Sequence, residues 1–144
     1  MNVNSIGDDG AKAIAEALKV NPVLTELNLN GNFNIGPEGA KAIAEALKVN
    51  PVLTTLSIWD NKIGNEGAKA IAEALKVNPV LTELDLRVNN MGEAGEKAVR
   101  DAVKDRNQSV SQLFHEGPEW ICVGAVENDC ASNVNMGGSQ LWVL

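Results

Sequence analysis

The chain has 144 residues, enough for one domain, and its 19 acidic side chains outnumber 12 basic ones for a formal charge of −7. That balance argues against a nucleic-acid backbone as partner, because such binding rests on clustered Lys and Arg that release counterions from phosphates. Hydrophobic residues reach 44% but aromatic ones only 3%, so the core must be built from Ala, Leu, Ile and Val.

The opening residues MNVNSIGDDG lack a basic start followed by an apolar run, and no stretch approaches the roughly 18 apolar residues of a membrane span. A soluble, cytoplasmic protein without a membrane partner is expected. Cys122 and Cys130 are the only cysteines, too few for the disulfide framework of a small secreted domain.

Sixteen residues, GAKAIAEALKVNPVLT, then recur unchanged at 10–25, 39–54 and 67–82. Gly10, Gly39, Gly67 and Gly95 mark a period of 28 to 29 residues, the signature of a tandem array whose units bury their apolar faces only against one another. In each copy Ala11, Ile14, Ala15, Ala17 and Leu18, or their equivalents, fall on one helical face, with Lys12, Glu16 and Lys19 opposite. Asp9, Glu38, Glu66 and Glu93 stand near the helix starts and Lys19, Lys48, Lys76 and Lys104 near the ends, as the helix dipole favours. An Asn-Pro step (Asn21-Pro22, Asn50-Pro51, Asn78-Pro79) is read as the stop, with Asn as a left-handed cap.

After each stop the period changes. LTELNLNGN, LTTLSIWDN and LTELDLRVN alternate apolar and polar residues, predicting short strands that point Leu27 and Leu29, Leu56 and Ile58, and Leu84 and Leu86 inward. One strand and one helix per unit, stacked in parallel, make a curved α/β solenoid.

The pattern LxxLxLxxN at Leu24–Asn32, Leu53–Asn61 and Leu81–Asn89, joined to a helix in a 28-residue unit, resembles the leucine-rich repeat of the ribonuclease-inhibitor subfamily. The resemblance covers about residues 4 to 113. It implies a right-handed horseshoe segment with parallel strands on the concave face and helices on the convex face, and an asparagine ladder through Asn32, Asn61 and Asn89. Residues 1–116 are read as an array of about four repeats. The fourth is degenerate: it keeps Gly92, Gly95, Val99 and Val103, gains a residue before Asn107, and puts His115 where Leu86 stood.

No complete repeat precedes the first helix, so the flank of Ile14, Leu18, Leu24 and Leu27 is expected to lie uncovered. It would then pair with another chain, giving a homodimer, or the chain would be a piece of a longer array. Residues 117–144 leave the repeat and hold Trp120, Trp142 and both cysteines. They read as a non-repeat, β-rich segment that caps the last repeat, with docking on a second copy and disorder as the alternatives.

The positions flanking the inward leucines are those that vary, and the resemblance puts them on the concave face. They form three columns: Glu26, Thr55, Glu83, Gln112; Asn28, Ser57, Asp85, Phe114; and Asn30, Trp59, Arg87, Glu116. Near-identical helices under variable strand faces suit a scaffold that presents a reading surface. Trp59, expected to be exposed beside Arg87, joins two residue types enriched in binding hot spots, the plainer alternative being a surface cation–π pair. The reading is therefore a module that binds a protein partner through its concave face. A self-associating structural fragment is the first alternative. A regulatory domain like the repeat domain of GTPase-activating proteins for a Ran-like switch is the second, with only Arg87, Arg100 and Arg106 to draw on.

The remaining candidates are read structurally. Lys12, Lys41, Lys69 and Lys97, each with an acidic residue one turn later (Glu16, Glu45, Glu73, Asp101), form a solvated face of four-residue ion pairs. Phe33 is taken as the extra residue of the longer period and as packing in its loop, with exposure the alternative. His115, Cys122 and Cys130 lack zinc-module spacing. Asn107-Gln108-Ser109 matches a glycosylation acceptor, yet Asn107 stands at a cap position. IGNEGAK opens a helix with backbone amides but lacks the full phosphate-loop signature. Carboxylates lie on separate repeats, with no catalytic constellation, no metal set and no cofactor site, and the expectation is a protein that is not an enzyme.

Overall fold

The computed structural model describes residues 4–106, with side chains over 4–104, and the backbone of 112–113, 120–122 and 142–143. Helices α1 (Asp8–Val20), α2 (Pro37–Val49), α3 (Gly64–Val77) and α4 (Glu93–Arg106) alternate with strands β1 (Glu26–Asn28), β2 (Thr55–Ser57) and β3 (Glu83–Asp85). The three strands are parallel and in register, Glu26 beside Thr55 beside Glu83 and Asn28 beside Ser57 beside Asp85. The result is an α/β repeat solenoid with an open sheet on one side and stacked helices on the other. No helix among the described residues is long and apolar enough to cross a membrane.

Small side chains set the stacking. A Cβ on Gly39 would lie 2.9 Å from Ala11 Cβ, one on Gly67 2.8 Å from Ala40 Cβ, and one on Gly95 3.0 Å from Ala68 Cβ. Helices α2, α3 and α4 therefore each meet the one before through a Gly-on-Ala contact that a larger residue could enter only by pushing the helices apart. Ile43, Leu47, Leu53, Leu56, Ile58 and their equivalents Ile71, Leu75, Leu81, Leu84 and Leu86 fill the space between helices and sheet, each at most 1% exposed. Leu18, expected on the open flank, is buried at 1% because it faces α2 with Ala11 and Ala15.

Asn and Asp side chains make three rows of hydrogen bonds between the described repeats. The first is the expected ladder: Asn61 Nδ2 donates to Leu29 O (2.9 Å) and Ile58 O (3.1 Å), and Asn89 Nδ2 to Ile58 O (2.9 Å), Leu86 O (3.0 Å) and Arg87 O (3.1 Å). The other end of the amide accepts a backbone N–H at Asn32 (from Ile6, 3.0 Å) and at Asn89 (from Ile63, 3.4 Å). Asn61 Oδ1, buried in the same way, has no partner. The equivalent donor would be the N–H of Ile35, which follows the longer loop after Asn32; Ile35 instead accepts from Lys62 N through its carbonyl (2.9 Å). The left-handed residue after the ladder Asn is Ser5, Phe33 and Asn90 in three of the loops, which makes Asn34 rather than Phe33 the extra residue.

The second row corrects the reading of the Asn-Pro stops. Asn21, Asn50 and Asn78 are extended (φ −84°, −78° and −86°), not left-handed. Asn50 Oδ1 accepts the N–H groups of Val52 (2.9 Å) and Leu53 (2.7 Å), and its Nδ2 donates to Leu18 O (2.7 Å) at the end of the preceding helix; Asn78 does the same with Val80, Leu81 and Leu47. Each Asn thus satisfies an orphan helix carbonyl one repeat away. The third row caps helix starts across repeats. Asp8 Oδ1 accepts Gly36 N (2.8 Å) and Gly39 N (2.7 Å), and Asn65 Oδ1 accepts Gly92 N (2.8 Å) and Gly95 N (2.9 Å). Pro37 holds the equivalent place between them and offers no such acceptor.

The convex ion pairs also differ from expectation. Glu38–Lys41 (2.8 Å), Glu45–Lys48 (2.6 Å), Glu66–Lys69 (2.9 Å) and Glu73–Lys76 (2.7 Å) pair at three-residue spacing with the acid first, while Lys97–Asp101 uses the four-residue spacing. An acid nearer the helix start is the sense the dipole prefers. The hydrogen bond from Lys69 lowers the Glu66 pKa, the one Lys41 donates to Glu38 raises the Lys41 pKa, and that from Lys97 lowers the Asp101 pKa.

Among the described residues no fourth parallel strand extends the sheet. The edge of β3 takes an antiparallel strand, β5 (Trp120–Cys122), while β4 (Gln112–Leu113) pairs antiparallel with β6 (Trp142–Val143).

Val88 is strained. It sits at φ +54° where the other repeats have Gly31 (φ +66°) and Asp60 (φ +57°), and its side chain is 57% exposed. A β-branched side chain crowds the backbone in this left-handed region, and little packing would be lost on its removal. Val88→Asn is expected to stabilise the protein by about 1 kcal/mol, read as a higher urea midpoint at unchanged m.

Candidate functional site

Alternation along each strand turns Leu27, Leu56 and Leu84 into the core and turns their neighbours to the open face. The register stacks Glu26, Thr55 and Glu83 in one column and Asn28, Ser57 and Asp85 in the next. Asn30, Trp59 and Arg87 follow two residues later, where the chain leaves each strand.

The second and third columns are joined by one hydrogen-bonded chain. Asn28 Oδ1 accepts Asn30 N (3.0 Å), and Asn30 Oδ1 accepts both Trp59 N (2.8 Å) and Ser57 Oγ (2.6 Å). Ser57 Oγ also lies 3.5 Å from Asp85 Oδ2, but its single proton goes to the nearer Asn30. Asp85 is 2% exposed and is held by a fork: Arg87 Nε donates to Oδ1 (2.9 Å), Arg87 Nη2 to Oδ2 (2.7 Å), and Arg87 N to Oδ1 (3.0 Å). The Arg87 guanidinium carbon lies 6.0 Å from the centre of the Trp59 ring.

Trp59 is therefore half-buried rather than exposed, packed toward Arg87 as the plainer alternative held. The Arg87 side chain is only 15% exposed and held by Asp85, so it is fixed before any partner arrives. Bidentate pairing of this kind sets direction as well as strength. Glu26 and Asn28 are exposed, Thr55, Ser57 and Glu83 half-buried.

The columns stop at β3. Gln112 lies on β4, away from the β3 edge that Trp120–Cys122 occupies, and Phe114, Glu116 and His115 lie outside the described residues, as do the glycosylation-like Asn107 and the side chains of Cys122 and Cys130. Phe33, expected to pack in its loop, is 43% exposed on the rim beyond Asn32. Among the described residues no group of three or more His, Cys, Asp or Glu is placed to hold a metal ion.

Sequence reasoning missed the fork. Asp85 and Arg87 fall in separate columns, although residues two apart on a strand share a face and an acid followed by an arginine at that spacing can pair.

A family model described as a leucine-rich repeat matches residues 2–15, 20–44, 49–72 and 77–98, together more than half of the chain. Among solved structures, the chain is similar to one titled "Leiomodin-1 Actin-Binding Site 2 (ABS2)", with 32% identity, a TM-score of 0.63 and an alignment over 73% of this chain and 63% of that one. This chain thus spans less than two thirds of that structure's length. No curated protein matches it.

Proposed function

The chain belongs to the leucine-rich repeat family, and from that premise we propose that it is a non-enzymatic protein-interaction module that reads its partner with the concave strand face. The observation that carries this is the Trp59–Arg87–Asp85 group, a tryptophan beside an arginine that a carboxylate fork holds in place on an open polar face. Side chains ordered in advance lose little rotamer freedom on binding, and Trp and Arg lead the residue types found at hot spots. The ribonuclease-inhibitor-like class fits because each described repeat carries a helix of 13 or 14 residues.

Actin is the first partner to test, because the similar structure is titled as an actin-binding site and shares 32% identity over 73% of this chain. Arg87→Ala alone would strand the Asp85 carboxylate, 2% exposed, and confuse binding with folding. Trp59→Ala, and separately the neutral pair Asp85→Asn with Arg87→Gln, avoid this. Each is expected to weaken binding of purified monomeric actin by at least about tenfold, roughly 1.4 kcal/mol, in a titration followed by interferometry, with thermal unfolding within a few degrees of the parent. Parent protein that does not bind actin removes actin as partner; binding that both variants retain removes the concave face.

A further inference from the structure

The open sheet face is charged unevenly along its strands. The first column holds Glu26, Thr55 and Glu83, and among the described residues none of these three side chains has an ion pair or a hydrogen bond. The helix side is different: Glu16, Glu38, Glu45, Glu66 and Glu73 each have a lysine ammonium 2.5 to 2.9 Å away. At the far end of the strands the Arg87 guanidinium is already neutralised by the Asp85 fork. Uncompensated negative charge on this face therefore collects where the strands begin.

We propose, building on the concave-face reading above, that this column receives a lysine side chain of the partner, its ammonium seated over Thr55 between the two glutamates. Glu26, Thr55 and Glu83 are aligned across three parallel strands. At about 4.8 Å per strand the glutamates stand about 10 Å apart with the threonine between them. A lysine ammonium carries three donors and no acceptor, so it can serve both carboxylates and the Thr55 hydroxyl at once. A guanidinium is a planar fork suited to one carboxylate at a time and would leave the second glutamate unused. An acidic or phosphorylated segment is repelled from the same place.

The rest of the face sets how the segment lies. In the middle column Asn28 and Ser57 are engaged by Asn30, and Asp85 by Arg87, so no free carboxylate competes there for the cation. Trp59 stands four residues beyond Thr55, about 13 Å along the strand direction. An extended partner segment running along β2 thus places its lysine about four residues from an apolar side chain that lies on the Trp59 ring.

Selection of a displayed random-peptide library on the full chain tests this without a known partner. Enriched peptides are expected to carry a lysine at a fixed distance from an apolar residue. In a fluorescence-polarisation titration they should bind the variant Glu26→Gln with Glu83→Gln about tenfold more weakly than the parent, and the parent itself more weakly at high salt. Acetylating the lysine removes its charge and should cost the same factor on the parent but almost nothing further on the double variant. Thr55→Val, of the same shape without the hydroxyl, should cost about threefold. Neither glutamate holds a partner in the fold, so thermal unfolding of these variants should match the parent. Peptides that need Trp59 but neither a lysine nor the glutamates overturn this proposal and leave the concave-face reading standing. Peptides indifferent to Trp59→Ala and to both glutamates overturn the two together. A selection that enriches no peptide overturns the lysine site alone.

Discussion

Asn89→Ala is expected to destabilise the protein by about 3 kcal/mol, seen as a lower urea midpoint. The Asn89 amide is 1% exposed and its two hydrogens are shared among Ile58 O, Leu86 O and Arg87 O at 2.9 to 3.1 Å. Alanine leaves those carbonyls facing a space made for an amide. Each buried acceptor stripped of its partner costs about 1–3 kcal/mol, against a total stability of about 5–15 kcal/mol for a domain of this size. Because Ile58 belongs to the repeat before, the substitution also cuts a link between neighbours, and in a solenoid such links hold the array together as one cooperative unit. A reduced m-value is expected with the lower midpoint.

Asn61→Ala provides the internal comparison. Its Nδ2 serves Leu29 O, Ile58 O and Trp59 O, but its Oδ1 has no partner. Removing it relieves one unpaired acceptor while creating others, so its cost should be lower by about 1 kcal/mol. Equal costs at the two positions, or less than about 1 kcal/mol at Asn89, would show that the ladder contributes little.

The ladder was legible because LxxLxLxxN repeats at fixed spacing, and so were the helices and inward leucines, whose periods of 3.6 and 2 survive in every copy. What the sequence concealed lies between repeats. An Asn before Pro reads locally as a left-handed cap, but at Asn50 and Asn78 the amide reaches a carbonyl 32 and 31 residues earlier, at Leu18 and Leu47, and that reach rather than local propensity sets the backbone. The pairing of Lys with an acid was visible, but Glu38 and Glu45 bracket Lys41 at three and four residues, and only side-chain direction chooses between them. Asp8 and Asn65 gave no signal in the sequence, since nothing nearby in the chain shows that each caps the next helix. The site was half legible. Variable columns singled out Trp59 and Arg87, yet the burial of Asp85 depends on a fork that pairs two variable positions, which a column-by-column reading separates.

Gly67→Val should cost more than about 3 kcal/mol, the upper range for overpacking a tight contact. A Cβ at Gly67 would stand 2.8 Å from Ala40 Cβ and 2.9 Å from Ile63 Cβ, closer than carbon atoms approach. Neither neighbour is the end of a flexible side chain: both are Cβ atoms tied to backbone, Ala40 within α2 and Ile63 at the start of α3. Relief must therefore come from sliding α3 along or away from α2. That would open the contacts among Ile43, Leu47, Ile71 and Leu75, all at most 1% exposed. Gly67→Ala, with no atoms beyond the Cβ, should cost about 2 kcal/mol. Shrinking the opposing residue tests the cause directly. In Gly67→Ala with Ala40→Gly, the contact with α2 is inverted rather than doubled, and a coupling of at least about 1 kcal/mol in the double-mutant cycle is expected. The Ile63 contact remains, so rescue should be partial. Gly31 supplies the contrast, since a Cβ there meets nothing within 4 Å and only its φ of +66° opposes substitution, so Gly31→Ala should cost about 1 kcal/mol and show no coupling to Ala40. Additive energies for Gly67 and Ala40 would mean that helix propensity, not the closeness of two helices, is why the repeat keeps glycine at this place.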